Sequence, residues 1–514
     1  MLAVEVVHGS HYGRDRGAVA LWGGATGAQA ANLPVAGSVA FLAVHWSDRL
    51  TAAASRLWAK AVARTPPSRF DVQLLGMFFV MFAWVYLPDI HGHVPGIRAI
   101  DIPRGWSLAL GYPVLIGLTA ILLRPSGPAG SWLMRHRDLV RFAPLFALGL
   151  SVGWLIQIPS FAASGGQVTN DTIPSLVCAA QDVLQGHDPY QTNEATCMAR
   201  LHVPPLISTP LQRGVFASLT DYPSAAQLKS GLERVNATHT QATSFPNFGY
   251  QPLAVILTLP VAFGGGSAWV LWAVALGIVW LVAMVRAAPS RRSAILTLVL
   301  MQIGGGTILA AISQGNSEFA AVGLAALGLA WFDRIRWSSV LLAAAVAVNL
   351  LMAAPLVGAW LLATRTGHLR ERLAWSFASL AVCFGPWLIL YRDALSNMIA
   401  LVTQPAFNLG SGLVELFGAG RIPPAWRPIF FIAFAICVIA GAWATWRYRN
   451  WAFSAPPLLL AVLWISWRSD ANYLAPPLLL AVGMMIGLER LRNAHPQLTP
   501  LPAPTAEASS AGGP

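Results

Sequence analysis

Gln185-Gly186-His187-Asp188-Pro189-Tyr190 and Phe248-Gly249-Tyr250-Gln251-Pro252-Leu253-Ala254 bracket the one long polar insert in an otherwise apolar chain. Asn170-Asp171 opens that insert, just after an apolar run ends near Pro159. Outside it the sequence falls into apolar blocks of about 17–20 residues, the length that crosses a hydrocarbon core as a helix. The blocks are continuous rather than alternating, which argues against a membrane barrel, whose strands change character at every residue. Lipid offers a backbone no hydrogen bonds, so each block must satisfy its own amides and carbonyls, and a helix does so. The expected fold is all-α: a polytopic transmembrane helical bundle of about 10–13 membrane helices with a large outer-face loop.

Composition agrees. Of 514 residues, 56% are hydrophobic and 11% charged, with a mean hydropathy of +0.58. Soluble domains carry about 25% charged residues, so lipid must solvate most of this chain. The net charge of +12 comes almost entirely from arginines scattered between the apolar blocks. That scatter reads as topology signal and contact with anionic lipid. No aromatic-basic motif accompanies it, so nucleic acid is not an expected partner. Cys383 and Cys437 fall in apolar blocks and read as packing residues. Cys178 and Cys197 share the insert and can pair if it faces an oxidising compartment. Residues 1–65 lack a clean signal peptide and read as a poorly structured extension, and the tail 491–514 as disordered.

Apolar segments fall at 71–88, 106–123, 142–158, 267–285, 294–312, 316–332, 373–391, 429–446, 451–467 and 473–488. Basic residues keep to the cytoplasmic side, and this orders the threading. Arg49, Arg56, Lys60, Arg64 and Arg69 precede the first span, and Arg124, Arg135, Arg137 and Arg141 follow the second, so the insert 160–250 lies outside. Arg286, Arg291 and Arg292 return inside, which demands an odd number of crossings after the insert. Residues 252–264, interrupted by Pro252 and Pro260, are then re-entrant or interfacial, and 267–285 makes the crossing. Arg334 and Arg336 are inside, as are Arg365, Arg370 and Arg372, so 338–363 must fold as a pair of short helices with Asn349 to Pro355 near the outer tip. The insert, the Gln314–Asn316 turn, Asn349, the 392–428 loop and the Arg468–Asp470 turn thus gather on one face. In domain terms, 66–141 supplies two N-terminal membrane helices and 142–490 the main membrane domain.

Asp171 leads the candidates for chemistry. A carboxylate at a membrane surface, its pKa adjustable by burial, can take a proton from an acceptor hydroxyl. Asp171-Thr172-Ile173-Pro174 equally reads as a helix start, with Asp or Thr as cap and Pro in the first turn. Asp182 falls on the same expected helix, 172–185, as a solvated or structural acid, and Asp188 reads as a turn former before Pro189. Tyr190 and Tyr250 read as interfacial aromatics or sugar-stacking platforms. Glu318 sits near the outer end of an apolar run, where an ionisable group suggests function or a helix-start carboxylate. Arg468 can bind a lipid phosphate through paired hydrogen bonds, or pair with Asp470 or a headgroup. Arg392, Asp393 and Glu415 are loop charges without a local partner pattern. His187, His202 and His239 lack metal-ligand spacing, and no Gly-rich phosphate loop is present, so neither metal nor cofactor is expected.

The order of these motifs resembles the bacterial membrane glycosyltransferases of the GT-C class, closest to glycosyltransferase family 87, the polyprenyl-phosphate-mannose-dependent mannosyltransferases. The motifs are an Asp after a span, a helix ending in Gly186-His187-Asp188-Pro189-Tyr190, and the Tyr250-Gln251-Pro252-Leu253 segment. A Gln314-Gly315-Asn316 turn and a short-helix pair follow. The resemblance covers about residues 142–490 and implies Asp171 as catalytic base. The substrate-binding candidates are Tyr190, Tyr250, Gln314 and Asn316 at its motifs, Asn349 near one of them, and Glu318, Arg468 and Asp470 from their own chemistry. Gln251 stands where the family carries a Pro, the Gln-Asn turn is shuffled, and Asn349 lies nearest the place of a common Lys. Ser469-Asp470-Ala471-Asn472-Tyr473 looks like a segment of related sugar transferases. The partners implied are a polyprenyl-phosphate-sugar donor, a lipid or glycan acceptor, and membrane lipid. The implied location is the bacterial plasma membrane, with the active site on its outer face. A multi-helix transporter or lipid flippase is the rival reading, and a non-catalytic GT-C-like partner the third.

Overall fold

Ser68 and Asp71 open the first helix by satisfying each other. The Asp71 amide donates to Ser68 Oγ at 3.1 Å, and the Ser68 amide to Asp71 Oδ2 at 2.9 Å, so both orphan donors of the helix start are used. The computed structural model describes residues 67–93, 128–151, 172–192, 226–227, 230, 248–263, 265–313, 318–403, 409–410, 427–447, 468–469 and 476–494. Over these residues the chain is all-α, apart from a two-residue parallel pairing of β1 (Leu409–Gly410) with β2 (Arg468–Ser469). That pairing joins the 392–428 loop to the Arg468 turn. The expected spans 106–123 and 451–467 lie outside the described residues.

In chain order the helices are α1 (Arg69–His93), α2 (Pro128–Arg135), α3 (Thr172–Leu184), α4 (Pro252–Ala262), α5 (Gly265–Ala287), α6 (Arg291–Ser313) and α7 (Glu318–Ala330). There follow α8 (Ile335–Val348), α9 (Ala353–Thr366), α10 (Leu369–Leu390), α11 (Ala394–Thr403), α12 (Arg427–Arg447) and α13 (Pro476–Ala494). Helix α4 is short, as its two prolines lead one to expect: at 1.5 Å per residue its eleven residues reach about 16 Å. The stretch 338–363 breaks at Asn349, whose extended backbone ends α8 and whose Oδ1 accepts the Leu351 amide at 3.0 Å.

Small residues set the centre of the fold. Helix α7 carries buried Ala320, Ala321, Ala325, Ala326 and Ala330 and packs against α5, α8 and α13. From α13, Gly483 and Gly487 lie against the carbonyls of Ala326 and Leu329, too close for any side chain. This is the small-x-x-x-small contact that lets apolar helices approach backbone to backbone. Helix α1 packs on α6 and joins the same core cluster, so the N-terminal segment is built into the domain.

Contacts sort into two ends. At one, the Asp71 carboxylate accepts Ser293 Oγ at 2.9 Å and meets Arg292 at 3.5 Å. Arg490 makes a two-pronged bond to Asp333, both contacts 2.8 Å, and donates to the Ala287 carbonyl at 3.2 Å. Buried Arg372 donates to the Phe332 carbonyl and, at 3.1 Å, to Ser338. Four of the basic clusters expected to share a side of the membrane therefore do share one end of the packed helices. Because α8 leaves from this end and α9 returns to it before α10, the pair broken at Asn349 is a hairpin. Each half has 14 residues, about 21 Å.

Helix α10 runs from this end to the other. From Arg372 to Tyr391 it covers about 28 Å, close to the ~30 Å of a hydrocarbon core. Among the described residues, α10 is the one helix long and apolar enough to cross a membrane. Little of it is buried, and Val382 and Ile389 are 75% and 81% exposed.

Candidate functional site

The second end is organised by the turn after α3, and its local sequence explains it. Gly186 takes φ +75°, and the amides of His187 and Gly186 donate back to Asp182 at 2.8 Å and Val183 at 3.0 Å. This double closure needs a left-handed residue, and glycine enters that region without a Cβ penalty. Asp188 then accepts the Tyr190 amide at 2.9 Å, while Pro189 supplies the fixed φ of a turn's first position. The Gly-x-Asp-Pro-Tyr motif is thus a helix stop, a cap, a turn and an anchor.

Tyr190 is the anchor. It is fully buried at 0% exposure, and its hydroxyl donates to the Tyr250 carbonyl at 3.0 Å. Its own carbonyl accepts Asn397 Nδ2 at 2.7 Å. The ring lies 5.4 Å from that of Phe248, 6.0 Å from Tyr391 and 6.4 Å from Trp387. Trp387 in the last turn of α10 and Tyr391, the residue that caps it, are themselves 5.1 Å apart. A second tie closes the insert, the Phe248 amide donating to the Thr192 carbonyl at 3.2 Å. Both edges of the polar insert are held at one point against the end of α10 and the side of α11.

These contacts decide between alternatives that the sequence leaves open. Tyr190 is not a sugar-facing platform, because packing covers its ring. Asp182 is the structural acid rather than the solvated one: it is 3% exposed and accepts the Thr192 hydroxyl at 2.7 Å. Tyr250 stays half-buried, with its ring 5.5 Å from Phe248. Burial pushes the Tyr190 phenol well above its ordinary range, so it remains a neutral donor. The half-buried Asp188 carboxyl is also raised, by burial first and by Asp393 as well, against the lowering pull of the Tyr190 amide. Asp393, set aside in the sequence as a loop charge, therefore lies near enough to Asp188 for its charge to be felt.

The remaining candidates are placed unevenly. Helix α3 begins at Thr172, next in the chain to Asp171, and Asp171, Gln314, Asn316 and Asp470 lie outside the described residues. The α3 helix spans about 20 Å, so the aromatic cluster fixes the end of α3 opposite Asp171. Glu318 is the first residue of α7. Asn349 caps the hairpin turn, and Arg468 pairs its backbone with Leu409. Cys178 is disulfide-bonded while Cys383 and Cys437 are free; Cys197 lies outside the described residues.

Sequence reasoning missed Asn397, Trp387, Tyr391 and the Asp188–Asp393 pair. Of these only Trp387 and Tyr391 carry a readable signal, two aromatics at i,i+4 spacing at the end of a long apolar helix. Comparison with protein-family models, curated proteins and solved structures finds no match to the chain.

Proposed function

We propose that this chain is a polytopic membrane glycosyltransferase. It would move a sugar, mannose on the resemblance of its motifs, from a polyprenyl-phosphate donor to a lipid or glycan acceptor on the outer face of the membrane. The observation that carries the reading is the join between the two motif segments. Tyr190 holds Tyr250, and Thr192 holds Phe248, so the two motif segments that bear the resemblance form one rigid unit. Rigid support of reacting groups is what catalysis by positioning needs. A span of about 28 Å between two polar ends, with exposed apolar residues between them, supports the membrane setting. The disulfide at Cys178 agrees with an insert on an oxidising side.

In this reading the Asp171 carboxylate accepts the proton of the acceptor hydroxyl as its oxygen bonds to the sugar's anomeric carbon. The bond from that carbon to the donor phosphate breaks on the opposite face, and its electron pair leaves on the phosphate oxygen. The sugar therefore transfers with inversion. Arg468 offsets the charge growing on the phosphate. The full-length protein, purified and reconstituted in vesicles, should transfer label from radiolabelled polyprenyl-phosphate-mannose to a member of an acceptor pool. A folded, inserted protein that leaves the labelled donor intact with every acceptor would count against the proposal.

A further inference from the structure

The inner end carries a surface that the sugar-transfer reading leaves unused. Arg336, at the start of α8, places its guanidinium 5.5 Å from the Trp375 ring on α10. It is 72% exposed and meets Glu371 only loosely, at 3.6 Å. Arg334 lies 5.5 Å over Trp331 in the preceding turn, Arg370 is exposed beside Glu371, and Trp337 is exposed on α8. Buried Arg372, by contrast, is committed to Phe332 and Ser338, and Asp333 is committed to Arg490. The outward-facing charge here is therefore three arginines against one glutamate, framed by tryptophans.

The apolar surface continues from that cluster in one direction. Trp375, Val382 and Ile389 recur every seven residues along α10 and are all exposed, so they form one stripe. From Trp375 to Val382 the stripe covers about 10 Å of helix, most of the ~15 Å depth of one leaflet. A cationic head with a bidentate guanidinium, flanked by interfacial indoles and followed by an apolar track, matches a phosphate that bears acyl chains.

We propose that Arg336 and Trp375, supported by Arg334 and Arg370, form a binding site for an anionic phospholipid of the inner leaflet, its acyl chain lying along Val382. The site rests on the membrane setting of the proposed function but not on sugar transfer. Glu371 occupies the guanidinium until the lipid phosphate takes its place. Zwitterionic lipids carry the same phosphate with an ammonium that the surrounding arginines repel, so the site selects net negative headgroups.

Phosphatidylglycerol and phosphatidylcholine serve as the probes. The full chain is reconstituted in vesicles of phosphatidylcholine alone or mixed with phosphatidylglycerol, then extracted, and retained lipids are counted by native mass spectrometry. The wild type should retain phosphatidylglycerol in preference to phosphatidylcholine. Arg336→Gln should weaken that retention about fivefold, and Trp375→Ala should weaken it as well. Arg492→Gln, at an exposed inner-end arginine on α13, should leave retention unchanged. Equal loss in the Arg492 variant would reduce the effect to general charge attraction and overturn the site. So would equal retention of the two lipids by a protein that inserts normally. Failure to insert into vesicles of either composition would instead overturn the membrane setting, and the site with it. Exposed positions 336 and 375 should tolerate substitution, and an unchanged melting temperature checks that the variants are folded.

Discussion

The Tyr190 hydroxyl donates to the Tyr250 carbonyl at 3.0 Å, bridging sixty residues of chain between the two motif segments that bracket the polar insert. A buried phenol with its hydrogen bond made couples packing and polarity in one side chain. Tyr190→Phe keeps the ring and removes the bond, so it should cost about 1 kcal/mol. Tyr190→Ala also empties the aromatic cluster and should cost about 3–5 kcal/mol. Thermal unfolding in detergent measures both. Equal, small losses in the two variants would mean that the ring packing is not what holds the insert.

Asp188 gives a pH-dependent test. Its folded pKa is raised above the ordinary 3.8, so the folded state holds that proton more tightly than the unfolded chain. The resulting stability is complete below 3.8 and is lost as pH rises through the folded value. Asp188→Asn cannot ionise and still caps the Tyr190 amide, since Asn caps about as well as Asp. The two proteins should melt together near about pH 3, and the Asn variant should melt higher above the titration. Asp188→Ala loses the cap without ionising and should lie about 1 kcal/mol below Asp188→Asn at every pH. Parallel melting curves for Asp and Asn across the range would contradict the raised pKa.

Close helix contact at the centre is open to a matched pair of substitutions. A Cβ at Gly487 would strike the Leu329 carbonyl and the Phe332 side chain, so Gly487→Ala must push α13 away from α7. Overpacking of this kind costs about 1–3 kcal/mol. A Cβ at Gly277, on α5, would meet nothing within 4 Å, and Gly277→Ala should be neutral or slightly stabilising, because Ala is the better helix former. If both variants melt alike, the α7–α13 contact is looser than the geometry says.

How much of this could be read beforehand depended on whether the signal was local. The starts and stops of α3 and α4 and the break at Asn349 follow from Pro, Gly and polar residues at those positions, within a residue or two of expectation. The sorting of Arg292, Arg372 and Arg490 to one end follows from the charge rule, whereas no local pattern pairs Arg292 with Asp71 or Arg490 with Asp333. Gly483-x-x-x-Gly487 was readable as a packing motif and was not used. The role of Tyr190 was not readable, because an aromatic at a membrane edge looks the same whether it faces a ligand or the core. The Asn397–Tyr190 bond and the influence of Asp393 on Asp188 link distant segments, and no periodicity in either segment announces them.

The two-ended arrangement predicts which sites a membrane-impermeant thiol reagent can reach in intact cells. Cys178 is a poor reporter, being disulfide-bonded and buried. Ser396, exposed beside the aromatic cluster, and Arg492, exposed at the other end, are better positions for a new cysteine. Ser396→Cys should label without permeabilisation and Arg492→Cys only after it. Labelling of both from outside would refute the threading, and a reversed pattern would invert the protein in the membrane.

The strongest test of the proposed chemistry is at Asp171. The residue follows an expected exit span, directly precedes α3, and matches the outer-loop acid of the family that the motifs resemble. Helix α3 is in turn held at its far end by the Gly186 stop and the Tyr190 anchor, so whatever Asp171 does is done from a supported helix. Asp171→Asn preserves shape and capping but cannot accept a proton at neutral pH. As the base, Asp171 should account for about 10²–10⁴-fold in transfer rate, with little change in melting temperature or donor binding. As a cap alone, it should tolerate the change at well under ~1 kcal/mol and leave turnover near the parent's. Rates measured at matched protein levels in vesicles decide between the two. Normal turnover in the Asn variant would move the search for the base to Glu318, at the head of α7, and to Asp470.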